Sequence, residues 1–199
     1  ISNVSYNTFI GASAGRENTS GNNNTYVGHG AGYGVDAGHG DNNTAVGRYA
    51  IFHILGNNTT AIGYQAGYYA SGSNNTFLGS NAGHGTHVAP YSSGENNVAI
   101  GQAALYDFTT AANTTAIGYQ AGSAITSGNS NTTIGYQSSL SLTIGAANVT
   151  IGYAAGDAMT STSSTVLIGA NAGTAINSAD ANGTIAIGYE AGYGITSGA

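Results

Sequence analysis

The chain has no cysteine and very few charged residues. Its 199 residues include one proline, two basic residues and eight acidic ones, for a net charge of −6. Without cysteine there can be no disulfide bond, thiolate catalysis or zinc–thiolate site. Arg16 and Arg48 alone are too few to neutralise a nucleic-acid backbone or bind an anionic membrane surface. No segment reaches the roughly 18 apolar residues of a membrane span. We therefore expect neither a nucleic-acid partner nor membrane insertion.

One phrase, Asn-Thr-Ala-Ile-Gly-Tyr-Gln-Ala-Gly or a close variant, recurs along the whole chain. Twelve copies end in an aliphatic residue followed by Gly, at Gly11, Gly28, Gly47, Gly63, Gly79, Gly101, Gly118, Gly135, Gly145, Gly152, Gly169 and Gly188. Most intervals lie near 17 residues, and Gly145 splits one interval of 17 into 10 and 7, which indicates an echo inside an ordinary coil. A fixed period of this length is typical of a solenoid, whose repeats bury their apolar faces against their neighbours.

The repeat predicts an all-β, parallel β-solenoid of about 11–12 coils with two short strands each. It runs through residues 1–199, so we expect a single repeat domain, with longer excursions at 28–47 and 79–101. The sequence begins inside a repeat with no visible signal peptide, and we interpret it as a fragment of a longer fibre.

Residues around each repeat glycine, taken as position 0, fall into columns. Position −1 is always Ile, Val or Leu, and position −3 exchanges Thr with aliphatic residues. Both lie on one face of a strand, and this exchange favours a buried face. The predicted solenoid core therefore contains Ile10, Val27, Val46, Ile62, Leu78, Ile100, Ile117, Ile134, Ile151, Ile168 and Ile187.

Position −2 points the other way and never carries a charge. A strand that is apolar on both faces is usually covered on both. We expect a second chain to cover this face, through interface residues Phe9, Tyr26, Ala61, Phe77, Ala99, Ala116 and Ala186. Position −4, at the strand entry, is Asn in seven copies, and stacked Asn side chains there could form a hydrogen-bonded ladder.

The segments Thr60 to Gly67, Thr115 to Gly122 and Ala186 to Gly192 resemble the head repeats of trimeric autotransporter adhesins (the YadA-like head) and the repeats of bacteriophage tail fibres. The resemblance covers nearly the whole chain. It implies a left-handed β-roll, a homotrimeric fibre and an extracellular attachment role on a virion tail fibre or a bacterial cell surface. The adhesin heads usually have shorter coils, which favours the fibre-type repeats.

Candidate ligand-binding residues are the tyrosines outside the repeat columns, namely Tyr33, Tyr68, Tyr69, Tyr91 and Tyr106. An exposed aromatic face can stack on a sugar ring, so the predicted external partner is a host surface receptor, with a glycan as one candidate; packing between chains is the alternative.

No cofactor is expected, although two polar segments could hold a metal. His84 and His87 are spaced to ligate a transition metal, with a solvated loop as the favoured interpretation. Asp36, His39 and Asp41 could supply Ca²⁺ ligands, but a polar turn is favoured there.

Three function classes compete. The first is an attachment fibre or adhesin segment, or a structural spacer without a ligand site. The second is an enzyme, which we do not expect because the eight acids are scattered and Ser13, in a Gly-x-Ser-x-Gly match, has no strand–elbow–helix context. The third is ice binding through ranks of Thr, disfavoured because the Thr residues share the face assigned to the core.

Overall fold

The computed structural model describes residues 4–34, 39–53, 55–88, 91–177 and 179–196. Within these ranges the chain forms eleven three-residue strands and one 3₁₀ turn at Ala179–Ala181. The strands are β1 Thr8–Ile10, β2 Thr25–Val27, β3 Thr44–Val46, β4 Thr60–Ile62, β5 Thr76–Leu78, β6 Val98–Ile100, β7 Thr115–Ile117, β8 Thr132–Ile134, β9 Val149–Ile151, β10 Val166–Ile168 and β11 Ile185–Ile187.

All eleven of these strands form one parallel sheet in sequence order. The register aligns equivalent positions, so that Thr60 pairs with Thr76 and Ala61 with Phe77. When consecutive strands pair in parallel, each connection must carry the chain back to the end of the sheet at which the previous strand began. Each repeat therefore forms one coil. The predicted parallel β-solenoid is confirmed, but each described coil contains one strand and not the two that we expected.

The echo at Gly145 lies inside an ordinary coil, between β8 and β9, as predicted, and not at the end of a strand. The repeat glycines at the strand ends have φ near +130°, as at Gly118 (+132°), whereas Gly145 has no such conformation. A Cβ on Gly118 would lie 2.4 Å from the carbonyl oxygen of Gly135 in the next coil. Glycine is therefore required at these strand ends both by the backbone conformation and by the close approach of the coils.

The two faces of the sheet are the reverse of our assignment. The middle residue of each strand points inward, and Tyr26, Phe77 and Ala116 are completely buried. Six of the seven residues predicted at a trimer interface (Tyr26, Ala61, Phe77, Ala99, Ala116 and Ala186) therefore lie inside the solenoid, and only Phe9, in the first strand, is partly exposed.

The residues predicted to form the core lie on the outer face. Ile10, Ile62 and Ile187 are 59%, 39% and 65% exposed, and the remaining members, Val27, Val46, Leu78, Ile100, Ile117, Ile134, Ile151 and Ile168, are at most half-buried. The chain bends at the glycine directly after each strand, so only the middle residue can face the narrow interior. Its two neighbours must point outward because side chains alternate along a strand.

Large buried side chains fill the interior of the solenoid from three positions, and some coils use two of these positions. A Cβ at position +4 would meet the ring at position −2, as in Gly83, where it would lie 2.2 Å from Phe77. In the coil of β6, where position −2 is Ala99, position +4 supplies the buried Leu105 instead. Later coils use position +7, which includes the buried Phe108.

A continuous ladder of Asn and Thr side chains links the coils at the strand entry, as predicted. The Asn24 carbonyl oxygen Oδ1 accepts a bond from the backbone N–H of Asn43 at 2.8 Å, and Asn75 Oδ1 does the same for Asn97 at 2.8 Å. Buried Asn side chains also donate to neighbouring carbonyls, as Asn43 does to Gly56 at 3.0 Å. The ladder thus satisfies polar backbone groups inside the turns.

In the part of the chain that the structure describes, no helix is long and apolar enough to cross a membrane.

Candidate ligand-binding surface

Position +5 of five successive coils carries a column of stacked rings. Their centroids lie 4.7 Å, 4.9 Å, 5.4 Å and 4.7 Å apart, with interplanar angles of 13° or less. The rings of this column, in order, are Tyr33, Phe52, Tyr68, His84 and Tyr106. Equivalent positions repeat at the ~4.8 Å strand spacing, which is also a favourable distance for offset ring stacking. The coil geometry therefore builds the column directly.

A second row of rings lies beside this column. His53 lies 4.9 Å from Tyr69 and 4.5 Å from Tyr91 between ring centroids. Tyr69 and Tyr91 stack at 5.8 Å with planes 12° apart, and Tyr91 reaches the row from the 79–101 excursion. Contacts such as Tyr68 to Tyr69, at 4.5 Å, join the two rows. We call these eight residues the aromatic platform; they are Tyr33, Phe52, His53, Tyr68, Tyr69, His84, Tyr91 and Tyr106.

The platform is uncharged and accessible. All eight residues are half-buried, so ring surface remains open to a ligand. Burial lowers the pKa of His84 below its ordinary value, with a smaller opposing effect from the Gly85 carbonyl. The His84 Nδ1–H donates to that carbonyl at 2.9 Å. His84 is therefore a neutral ring at neutral pH and extends the aromatic surface.

Charged side chains lie at the two ends of the column. The guanidinium of Arg16 lies 5.4 Å from the centroid of Tyr33, a cation–π distance. Asp107 follows Tyr106 at the other end. Burial raises the pKa of the Asp107 carboxyl, and the nearby His84 partly offsets this effect. The platform is thus an apolar strip with a cation at one end and a carboxyl group at the other.

The structure brings all five predicted ligand-binding tyrosines into this platform. Tyr33, Tyr68 and Tyr106 lie in the column, and Tyr69 and Tyr91 lie in the second row. Sequence reasoning missed Phe52 and His53 and did not group His84 with the tyrosines. Counting five residues onward from each repeat glycine would have found the column.

The predicted metal ligands have other contacts in the structure. His84 stacks between Tyr68 and Tyr106, and the exposed His87 lies 6.2 Å from the Tyr69 ring. Among the described residues there is no group of three or more His, Asp or Glu side chains placed to hold a metal ion. The transition-metal site stays a prediction.

The predicted Ca²⁺ segment also remains an open hypothesis. Asp36 lies outside the described residues. His39 is buried, which lowers its pKa to about 4. The Asp41 Oδ1 accepts a bond from the Asn22 backbone N–H at 2.7 Å, so this oxygen serves a second ladder between coils.

The outer face of the sheet forms a second distinctive surface. It consists of the position −3 and position −1 residues of β1 to β11, and we call it the Thr/aliphatic face. None of these residues is charged, seven of the strands begin with Thr, and all end in Ile, Val or Leu. The in-register pairing arranges them in two ranks. An exposed apolar strip of this length indicates a contact surface.

No protein-family model, no curated protein and no solved structure matches the chain.

Proposed function

We propose that the chain is an extracellular fibre segment that attaches a virion tail fibre or a bacterial cell to surface glycans. The aromatic platform is the observation that carries this proposal. Eight half-buried rings on one surface offer apolar area that loses little conformational entropy on binding. The apolar C–H side of a pyranose can pack on exposed ring surface, and a ring face that is left uncovered, which is electrically negative, complements it best.

Self-association through the Thr/aliphatic face completes the proposal. Ile187 and Ile10 are 65% and 59% exposed in the single chain. A parallel sheet usually has both faces covered, and an uncharged apolar strip favours a partner of the same kind. We propose a homotrimer in which this face, rather than the middle residues of the strands, contacts the neighbouring chains. Three parallel copies would present three platforms, so that weak binding at each adds through avidity.

Glycan binding is tested with two matched sets of tyrosine variants on a glycan array. Tyr68→Ala/Tyr69→Ala/Tyr91→Ala removes rings from the platform. Tyr119→Ala/Tyr136→Ala/Tyr153→Ala removes the stacked column at position +1, whose rings lie 5.2 Å apart. We expect the first variant to lose binding and the second to keep it. Equal loss from both would contradict the platform assignment, and a wild-type chain that binds no glycan would favour a structural spacer.

Assembly is tested by light scattering. Ile62→Asp/Ile117→Asp places charges on the Thr/aliphatic face, and we expect the trimer to dissociate into folded monomers. Val88→Asp is the control, because Val88 is 62% exposed on the 79–101 excursion. A wild-type monomer, or a trimer that survives the double change, would reject this interface.

Ice binding is a second candidate, favoured by the exposure of the same face. We disfavoured ice binding because we assigned the Thr ranks to the core, and that assignment is wrong. Thr60 and Thr115 are partly exposed at the start of their strands, in register with a branched aliphatic residue at the end. A monomer with thermal hysteresis that Thr60→Tyr/Thr115→Tyr abolishes would support ice binding. If the chain shows no thermal hysteresis, ice binding is rejected and self-association is the function proposed for this face.

A further inference from the structure

The ring column stops at Tyr106, which leaves one face of that ring uncovered by the column. His84 stacks on one side of Tyr106, at 4.7 Å. On the other side, position +5 of the next coil is Ser123, which has no ring. A shallow concavity opens there, lined by Ala103, Tyr106, Asp107, Gln120 and Ser123. The missing sixth ring of the column is the origin of this concavity.

We propose that the concavity binds one neutral hexopyranose unit of a glycan, stacked on the open face of Tyr106. This inference rests on the proposed attachment function and names the site and the class of sugar. A pyranose is close in thickness to an aromatic ring, so it fits the ~4.8 Å interval between coils that a sixth ring would occupy. The sugar would extend the column and bury the free face of Tyr106.

The polar residues of the concavity suit the hydroxyl groups of a sugar. The Asp107 carboxylate accepts hydrogen bonds, and the Asp107 backbone N–H donates to the Ser123 carbonyl at 2.9 Å, which fixes this segment. The Gln137 Nε2 donates to the Gln120 Oε1 at 2.9 Å. Because this bond engages the amide oxygen, the group that Gln120 offers a ligand is its NH₂. An acceptor beside a donor matches adjacent hydroxyl groups, each of which both donates and accepts.

Charge favours a neutral sugar over an anionic one. Asp107 is the charged residue that lines the concavity, and Arg16 lies at the opposite end of the column beside Tyr33. An anionic saccharide would place its carboxylate near Asp107 without a cation to compensate, which is unfavourable. The site therefore selects neutral hexoses.

The test uses the full chain and saturation-transfer NMR. The probes are methyl β-D-glucopyranoside, methyl β-D-galactopyranoside and, as the anionic comparison, N-acetylneuraminic acid. We expect a neutral probe to bind with a Kd of about 1 mM, as for a small shallow site. Ser123→Phe supplies the missing ring and should abolish this binding. Asp107→Asn keeps the shape and should weaken it by about tenfold, because the charge-assisted hydrogen bonds are lost.

Thr174→Phe is the matched control, since it adds a ring at position +5 of a coil away from the platform. It should leave binding unchanged. Unchanged binding in both Ser123→Phe and Asp107→Asn, with loss in the platform variant, would overturn this site and leave the proposed function standing. A wild-type chain that binds neither neutral probe and no glycan on the array would overturn both. Preferential binding of N-acetylneuraminic acid would overturn the assignment to neutral sugars.

Discussion

The coils before β6 and the coils after it solve the same packing problem differently. Between β1 and β6 the strand starts are separated by 17, 19, 16, 16 and 22 residues, whereas from β6 to β10 every interval is 17. The large buried side chains of the irregular region are Tyr26 and Phe77 on strands and Ile51 at position +4, whereas every coil of the regular region also has a buried residue at position +7. These position +7 residues are Phe108, Ile125, Leu142, Met159 and Ile176.

Both regions keep the same contacts between coils. The Asn75–Asn97 bond of the ladder spans a 22-residue coil and the Asn131–Asn148 bond a 17-residue coil, at 2.8 Å and 3.0 Å. The difference in coil length therefore does not change the ladder bonds. Irregular coils can therefore carry an aromatic surface while regular coils continue the rod.

The largest expected effect tests whether the glycine column constrains both regions equally. A Cβ at Gly63 or Gly118 would lie 2.4 Å from the next coil's carbonyl oxygen, at φ of +142° or +132°. We expect Gly63→Ala and Gly118→Ala each to lower the free energy of unfolding by roughly 3–5 kcal/mol. Chemical denaturation measures this. Gly194→Ala, where the added Cβ meets nothing within 4 Å, should have little effect. A much milder result at Gly63 would mean that irregular coils relax locally.

Two substitutions in the coil of β6 can exchange the position that supplies the interior leucine. Leu105→Gly empties a buried site and should lower the free energy of unfolding by about 2–5 kcal/mol. Ala99→Leu alone overpacks the same interior and should lower it by about 1–3 kcal/mol. The double variant recreates the Leu167/Gly173 arrangement of β10, in which the leucine fills the space above the glycine. We expect it to recover most of the loss. Additive losses in the double-mutant cycle would show that the two positions do not share one volume.

A smaller effect is expected in the side-chain ladder of the regular region. The Asn148 Oδ1 accepts bonds from the backbone N–H and the hydroxyl of Thr165, at 3.0 Å and 2.8 Å. Asn148→Ala leaves these buried donors unpaired and should cost about 1–3 kcal/mol. Asn148→Thr should cost less, because Thr59 and Thr114 already occupy this position in other coils. Thermal unfolding of the two variants measures the difference. If Asn148→Thr loses as much stability as Asn148→Ala, the hydrogen bonds that the Asn148 side-chain NH₂ donates account for most of the effect.

The smallest effect is a pH response confined to the irregular region, which precedes β6 and contains all five histidines. Burial lowers the pKa of His39 from 6.5 to about 4. The unfolded chain therefore binds the proton first, so this contribution to stability is complete above pH 6.5 and is lost as the pH falls towards 4. Amide hydrogen exchange at pH 7 and pH 5 should show weaker protection of β2 and β3 than of β8 and β9 at the lower pH. His39→Gln should reduce this difference, and uniform loss of protection would contradict it.

Much of the fold follows from the sequence, but the orientation of the strands does not. The glycine spacing predicted the coils and the echo at Gly145, and the Asn column at position −4 predicted the ladder that includes Asn24 and Asn43. Each depends on local backbone conformation and a constant register. The tyrosines of the platform could be named one by one. Their assembly with Phe52, His53 and His84 depends on the position that each occupies in its coil.

The sequence by itself determined the periodicity, the glycine requirement and the low charge of every strand, since these are properties of residues within one repeat. Only the tertiary structure decided which face points inward, because Ala61 and Ile62 are both apolar and the pattern alone assigns neither to the core. The narrow interior accepts one residue per strand, so the middle residue is enclosed and its branched neighbours face outward. The same stacking of coils at a fixed spacing placed five distant rings in one column and ended it at Tyr106.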